Sequence, residues 1–140
     1  MPKKAPIQKR LEQQAEEARN LDIEISFLEG LLKRDPDYAD ALRILGDDYT
    51  RRGRYQDGLQ IDLRLVRLCR DDSLVHYNLA CSLSLTEQLA MAAAELDRAI
   101  TLGYRDFSWL NRDPDLKKLR RHPLFKKIRD RLKAMSIEIK

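Results

Sequence analysis

The 140-residue chain is poor in glycine, proline, cysteine and aromatic side chains, and each scarcity narrows the fold. Five glycines and five prolines are too few for a collagen-like or low-complexity chain. Aromatic residues make up 6% of the chain and the apolar set is mainly Leu, Ala and Ile, which is the palette of helices and not of sheets. The two cysteines, Cys69 and Cys81, lack C-x-x-C spacing, and a domain of this length needs no covalent staple. Both are expected to be reduced, in a cytoplasmic protein. No apolar run approaches the roughly 20 residues that span a bilayer. The start MPKKAPIQKR is not followed by the apolar core of a signal peptide. Neither a membrane span nor a secretory signal is expected, and the length suits one domain.

Charge is plentiful and unevenly placed. Charged residues make up 36% of the chain and the formal net charge is +4. Residues 115–140 hold 10 Lys/Arg against 3 Asp/Glu, whereas residues 1–114 hold 17 against 20. A basic tail of this kind can attract nucleic acid or an acidic protein surface. Here Leu116, Leu119, Leu124, Phe125, Ile128 and Leu132 recur within it at helical intervals, so the basic residues read as the solvated face of packed helices.

Breaker residues cut the sequence into helix-length pieces. Asp35-Pro36 reads as a helix start, a capping carboxylate followed by a first-turn proline. Ala41, Leu42, Leu45 and Tyr49 then fall three and four apart. Gly53 interrupts, in the left-handed conformation that ends helices. A second pattern runs from Tyr55 to about Arg70, with Leu59, Leu63 and Val66 on one row and Ile61, Leu65 and Leu68 on the next. Asp71-Asp72-Ser73 supplies N-caps for a third helix to about Thr86, and a fourth spans Ala90 to Leu102 before Gly103.

The pattern recurs at one offset. Leu45 and Leu79, Gly46 and Ala80, Tyr49 and Leu83, Leu65 and Ala99, Val66 and Ile100, and Leu68 and Leu102 are all 34 apart, and a fixed period of this size marks a repeat array. At this period the sequence resembles the tetratricopeptide repeat (TPR) family. Residues 39–72 carry Leu42, Leu45-Gly46, Tyr49, Gly53, Tyr55 and Gly58 at matching places, and residues 73–106 carry Leu79-Ala80, Leu83, Ala92, Leu96 and Ala99. From Tyr77 to Ile128 the chain is similar to the end-of-group variant that closes some bacterial arrays. Its marks are Tyr77-Asn78-Leu79-Ala80-Cys81, Ala99-Ile100, Leu102-Gly103-Tyr104, Asp113-Pro114-Asp115-Leu116, Leu119-Arg120, Pro123 and Phe125.

The resemblance implies an all-α, right-handed superhelix of helix hairpins with a C-terminal helical cap. The expected divisions are a polar arm over 1–20, helical or frayed, and a repeat domain over 21–130. That domain comprises an orphan helix 21–34, repeats 39–72 and 73–106 and a cap 107–135, with a tail 136–140 beyond it. Trp109, Leu116, Leu119 and Phe125 are expected to form the apolar underside of the cap. Ile7, Leu11, Ala18, Leu21, Ile25, Leu28 and Leu32 also fit one long helix, which would allow a coiled-coil dimer through residues 7–32. Asp62 stands where the family places an apolar residue. It is expected to reach the surface or to pair with an arginine of a neighbouring helix, the alternative being an acidic group in a binding surface.

Catalytic constellations are missing. His76 and His122 show no H-E-x-x-H spacing, and the chain has no nucleophile elbow, Walker loop or G-x-G-x-x-G. No enzyme activity, cofactor or metal is expected. The expected function is that of a scaffold or adaptor binding a peptide or protein in a concave groove lined by the first helix of each hairpin. Nucleic-acid association and a secretion-chaperone role are the alternatives. The partner-binding residues expected there are Arg43, Asp47, Arg51, Tyr77, Asn78, Cys81 and Arg112. Arg43, Asp47 and Arg51 are spaced for an intrahelical charge ladder. The family resemblance extends in part to its carboxylate-clamp subgroup, since Arg43, Asn78 and Arg112 fall at clamp positions while Asp47 and Ser108 do not fit. It implies a partner that is acidic or bears a free C-terminal carboxylate.

Overall fold

The computed structural model describes residues 5–135, so the expected tail at 136–140 lies outside the described residues. Every regular element among the described residues is helical. Helix α1 (Pro6–Arg34) starts with Pro6 in its first turn, where the missing N–H costs nothing. It then runs 29 residues without a break. The expected boundary near residue 20 is therefore not a break in the backbone. What changes there is burial: Leu21, Ile25, Leu28 and Leu32 are covered, whereas Ile7 and Leu11 stand exposed.

Asp35 does not cap the second helix. It ends α1, and its carbonyl accepts from the Tyr38 amide across a tight turn with Pro36 at its second position. Proline disfavours helical geometry in the residue before it, so α1 stops at Arg34, and α2 (Ala39–Arg51) begins three residues beyond Pro36. Gly53, at φ +82°, joins α2 to α3 (Tyr55–Leu68). Asp72 caps α4 (Ser73–Leu85) by accepting from the Leu74 and Val75 amides. The joint between α4 and α5 (Leu89–Thr101) has its left-handed residue at Glu87, φ +64°. Glu87 lies one 34-residue period after Gly53, so the repeat geometry holds the position left-handed even without a glycine. Gly103, at φ +115°, then turns the chain into the short helix α6 (Phe107–Leu110), a 3-10 turn Pro114–Leu116, α7 (Lys117–Arg120) and α8 (Phe125–Ala134).

Consecutive helices pack as neighbours from α1 to α5, and the 3-10 turn, α7 and α8 fold back against α4 and α5. One apolar core joins α1, α2 and α3 through Ile25, Leu28, Leu42, Leu45 and Leu65. A second joins α4 and α5 to the cap through Leu83, Leu96, Ile100, Leu116, Leu119 and Phe125. Val66 packs against both. Trp109 is not part of the cap's underside: it is 41% exposed, and Leu110, fully covered, takes that place. In a four-residue helix only one side can face the core, and α6 turns Phe107 and Leu110 inward.

Candidate functional site: an acidic concave groove

A groove of about 440 Å³ runs along the face formed by α2, α4 and the start of the cap. α2 contributes Arg43, Gly46, Asp47 and Thr50, and α4 contributes Leu74, Tyr77, Asn78, Cys81 and Ser82. The far wall is Tyr104, Asp106, Trp109, Asp113 and Asp115, while Asp62 and Leu65 of α3 form part of the floor. Helical spacing accounts for the α2 and α4 sets, since positions three and four apart share a face. Gly46 permits the close α2–α3 approach at the floor. A Cβ there would lie 3.1 Å from Asp62 Oδ1 and 3.2 Å from Ile61 Cγ2.

Five of the seven expected partner-binding residues line this groove: Arg43, Asp47, Tyr77, Asn78 and Cys81. Arg51 and Arg112 do not. Arg51 turns to α1 and donates to Glu17 at 3.0 Å. Arg112 lies over the Trp109 ring, 5.8 Å from its centroid, and donates to the Ser108 carbonyl. The expected ladder through Arg43, Asp47 and Arg51 is not formed. Arg43 donates instead to Asp72 Oδ2 at 2.8 Å, across to the cap of α4. Burial alone would raise Asp72, yet Arg43 and the α4 amides hold its carboxyl below the usual range. The one arginine in the groove is thus already committed to a carboxylate.

The acids of the groove have no such relief. Asp62 is buried and accepts from Ser82 Oγ at 2.5 Å. It reaches neither the surface nor an arginine, because the α2–α3 contact at Gly46 closes over it and the nearest donor is a hydroxyl of α4. Burial, aided by the charge of Asp47, pushes its pKa up to about 6 against the pull of Ser82. Asp115 is likewise pushed up to about 6 by burial and then by Asp113 and Asp47. Five aspartates facing one salt-bridged arginine make the groove an anionic surface. That charge opposes the acidic or carboxylate-terminated partner expected from the sequence, since like charges in a partly desolvated groove repel.

Asp113 organises the far wall. Its Oδ2 accepts from the Tyr77 hydroxyl at 2.7 Å and from Cys81 Sγ at 3.6 Å, and its Oδ1 accepts from the Asp115 amide at 3.0 Å. Tyr77 also stacks on Tyr104, with centroids 4.1 Å apart and planes within 7°. Arg120 donates to the Leu110 and Asp113 carbonyls from behind. The cap is thereby latched to α4 through one buried carboxylate. Sequence reasoning placed Asp113 in the end motif but did not connect it with Tyr77 and Cys81. Residues 32 and 36 apart reveal such a pairing only once the helices are stacked.

Burial, together with Asp113, drives the Cys81 thiol and the Tyr77 phenol well above their usual pKa ranges. A thiol held protonated is a poor nucleophile. Ligand atoms of Cys81, Asp113 and Asp115 lie within 4.8 Å of one another, a spacing that could hold a cation. Both Asp113 oxygens, however, are already taken as hydrogen-bond acceptors.

No family model matches the chain, the end-of-group motif included. Over 79 residues it is 30% identical to a chloroplastic protein of Arabidopsis thaliana, a stretch that covers 54% of this chain and 24% of that protein. The chain therefore matches about a quarter of the length of this relative. Among solved structures it is similar to MamA, with a TM-score of 0.67 and 22% identity, over 99% of this chain and 77% of that one. MamA is a TPR-like protein. No helix among the described residues is long and apolar enough to cross a membrane. The geometry and this likeness together make the fold an all-helical, TPR-like α-α superhelix.

Proposed function

We propose that the protein is a non-catalytic interaction module whose concave groove takes a basic segment of a protein partner. The TPR-like fold supports a scaffold built for protein contacts, and it gives no support to the nucleic-acid or chaperone alternatives. The observation that carries the finer reading is the charge of the groove. Asp47, Asp62, Asp106, Asp113 and Asp115 line it, and Arg43, its one arginine, is tied to Asp72. A lysine or arginine side chain entering there would relieve carboxylates that now repel one another, and it would steer encounter through long-range attraction. Leu74, 51% exposed, and Trp109, 41% exposed, stand in the same groove as apolar contacts for the partner's backbone and aliphatic stems.

Trp109 is the chain's single tryptophan and lies in the groove, so its fluorescence reports occupancy. Titration with a lysine- and arginine-rich peptide should shift that fluorescence, and the affinity should fall as salt is raised. Asp47→Asn should weaken binding. An acidic peptide with a free C-terminus should leave the signal unchanged. Tight binding of that acidic peptide, lost on amidation or in Arg43→Ala, would overturn the assignment in favour of a carboxylate clamp.

A further inference from the structure

The packed row of α1 continues past the body of the molecule. Leu21, Ile25, Leu28 and Leu32 are buried, and they alternate at steps of four and three. The same alternation carries back through Ala18, Gln14, Leu11 and Ile7 without a change of phase. The C-terminal half of this row lies on α2, which ends beside Glu17 and Asp22, where Arg51 and Arg52 donate to them. The N-terminal half projects beyond that end for roughly 15 Å, at 1.5 Å per residue. There the row is uncovered, with Ile7 67% and Leu11 59% exposed. A coiled coil through residues 7–32 is thus excluded, because α2 already occupies half of the seam. What remains is a three-turn overhang with half of a heptad seam.

We propose that this overhang pairs antiparallel with the overhang of a second copy of the chain. The charges flanking the seam select that occupant and that direction. With Leu11 and Ala18 at one seam position and Ile7 and Gln14 at the other, Arg10 and Glu17 fall on the same flank, one heptad apart. Antiparallel pairing sets Leu11 against Gln14 and Ile7 against Ala18 of the partner copy. It brings Arg10 of each chain to Glu17 of the other, because flanking positions of this type face their own kind across an antiparallel seam. Parallel pairing brings Arg10 to Ala15 and Glu17 to Asp22, which leaves one charge unmatched and sets two like charges together. Glu17 already accepts from Arg51 through Oε1. Its side chain is 61% exposed, and its second oxygen can take the partner's arginine. The contact is small and partly polar, so association is weak and follows concentration. The surface lies on α1, away from the groove proposed to bind basic segments, so either inference can fail without the other.

Sedimentation equilibrium of the full chain, from micromolar to millimolar, should show a monomer–dimer equilibrium. Leu11→Glu should remain monomeric at every concentration, with an unchanged melting temperature, because the overhang is outside both cores. Arg10→Glu and Glu17→Arg should each weaken the dimer when alone. Mixed one to one they should restore it as a heterodimer, seen by native mass spectrometry, and the double variant in one chain should restore the homodimer. A wild-type chain that is monomeric at millimolar concentration overturns the proposal. So does a dimer that survives Leu11→Glu, or a mixture of the two charge variants that recovers nothing.

Discussion

The two helix hairpins share one spacing but solve the same packing problem with different chemistry. In the first, Gly46 and Gly58 let α2 and α3 approach closely, and the helices bury Asp48 and Asp62. One period later the matching positions are Ala80, Ala92, Ser82 and Leu96, all buried. The second hairpin lies between the first hairpin and the cap, so α4 is covered on nearly every side. It lines the groove through α4, yet where the first hairpin buries carboxylates it buries a hydroxyl and a leucine. The first packs against α1 and buries Asp48 and Asp62 in the same contact. The difference teaches that the period sets where helices meet, while position in the stack sets which side chains that meeting can bear.

The strongest way to break this comparison is to exchange residues between the two hairpins. Leu96→Ala should cost about 2–5 kcal/mol in urea unfolding, as deletions from a fully covered site do. Asp62→Leu, with Ser82→Ala to remove the α4 hydroxyl it would strand, gives the first hairpin the leucine that the second carries at Leu96. It should hold or raise stability at pH 8 while weakening a basic ligand. An equal loss from both changes would mean that the Asp62 carboxylate is a packing requirement and not a feature of the groove.

Next in size is Asp113→Ala, which strands the Tyr77 hydroxyl and the Cys81 thiol. An unsatisfied buried group of this kind costs about 1–3 kcal/mol. Labelling of Cys81 by a thiol reagent should speed up as the cap loosens, which checks the latch independently of global stability. The pH dependence follows. Burial, and then Glu24, pushes Asp48 up to about 7. The folded chain therefore holds a proton that the unfolded chain gives up near pH 4. Folding takes up that proton, so stability present at pH 5 declines as pH rises through about 7. Asp62 and Asp115, at about 6, act with the same sign. Asp48→Asn should flatten the upper part of the curve, measured as the urea midpoint from pH 5 to 8.

Smaller again is the glycine exchange. Ala80→Gly should cost about 1 kcal/mol through helix propensity. Gly46→Ala gains that propensity but drives a methyl against Asp62 and Ile61, so its net change should be the smaller of the two. The smallest effect is expected at Glu87, held left-handed where the first hairpin has Gly53. Glu87→Gly should raise the melting temperature slightly, because it removes steric strain and loses only an exposed contact with Lys118.

His76 shows how far sequence reasoning reached and where it stopped. Its place at the start of a helix was legible from the Asp72 cap. That its Nδ1 meets Glu95 and its Nε2 the Arg70 carbonyl, each at 2.7 Å, was not. Glu95 sits on the facing helix and Arg70 in the preceding joint, and neither falls at a periodic offset. The arginines of α2 tell the same story. Arg43 and Arg51 have the spacing of an intrahelical ladder, yet both turn outward to Asp72 and Glu17. A surface pair four residues apart contributes a few tenths of a kcal/mol, too little to hold a side chain when another helix offers a carboxylate.

The four helices of the two hairpins, with most of their ends, and the 34-residue period were legible in the sequence alone, because caps, breakers and apolar spacing act within a few residues along the chain. The tertiary structure alone decided the sign of the groove. Charge at a surface depends on which side chains adjoining helices neutralise: stacking paired Arg43 with Asp72 and Arg51 with Glu17, Arg112 folded back onto its own segment, and the aspartates were left. It decided likewise that Asp113 latches the cap and that half of the α1 seam is left uncovered. Both depend on where α4 and α2 come to lie, and that placement is set by packing between elements far apart in the chain.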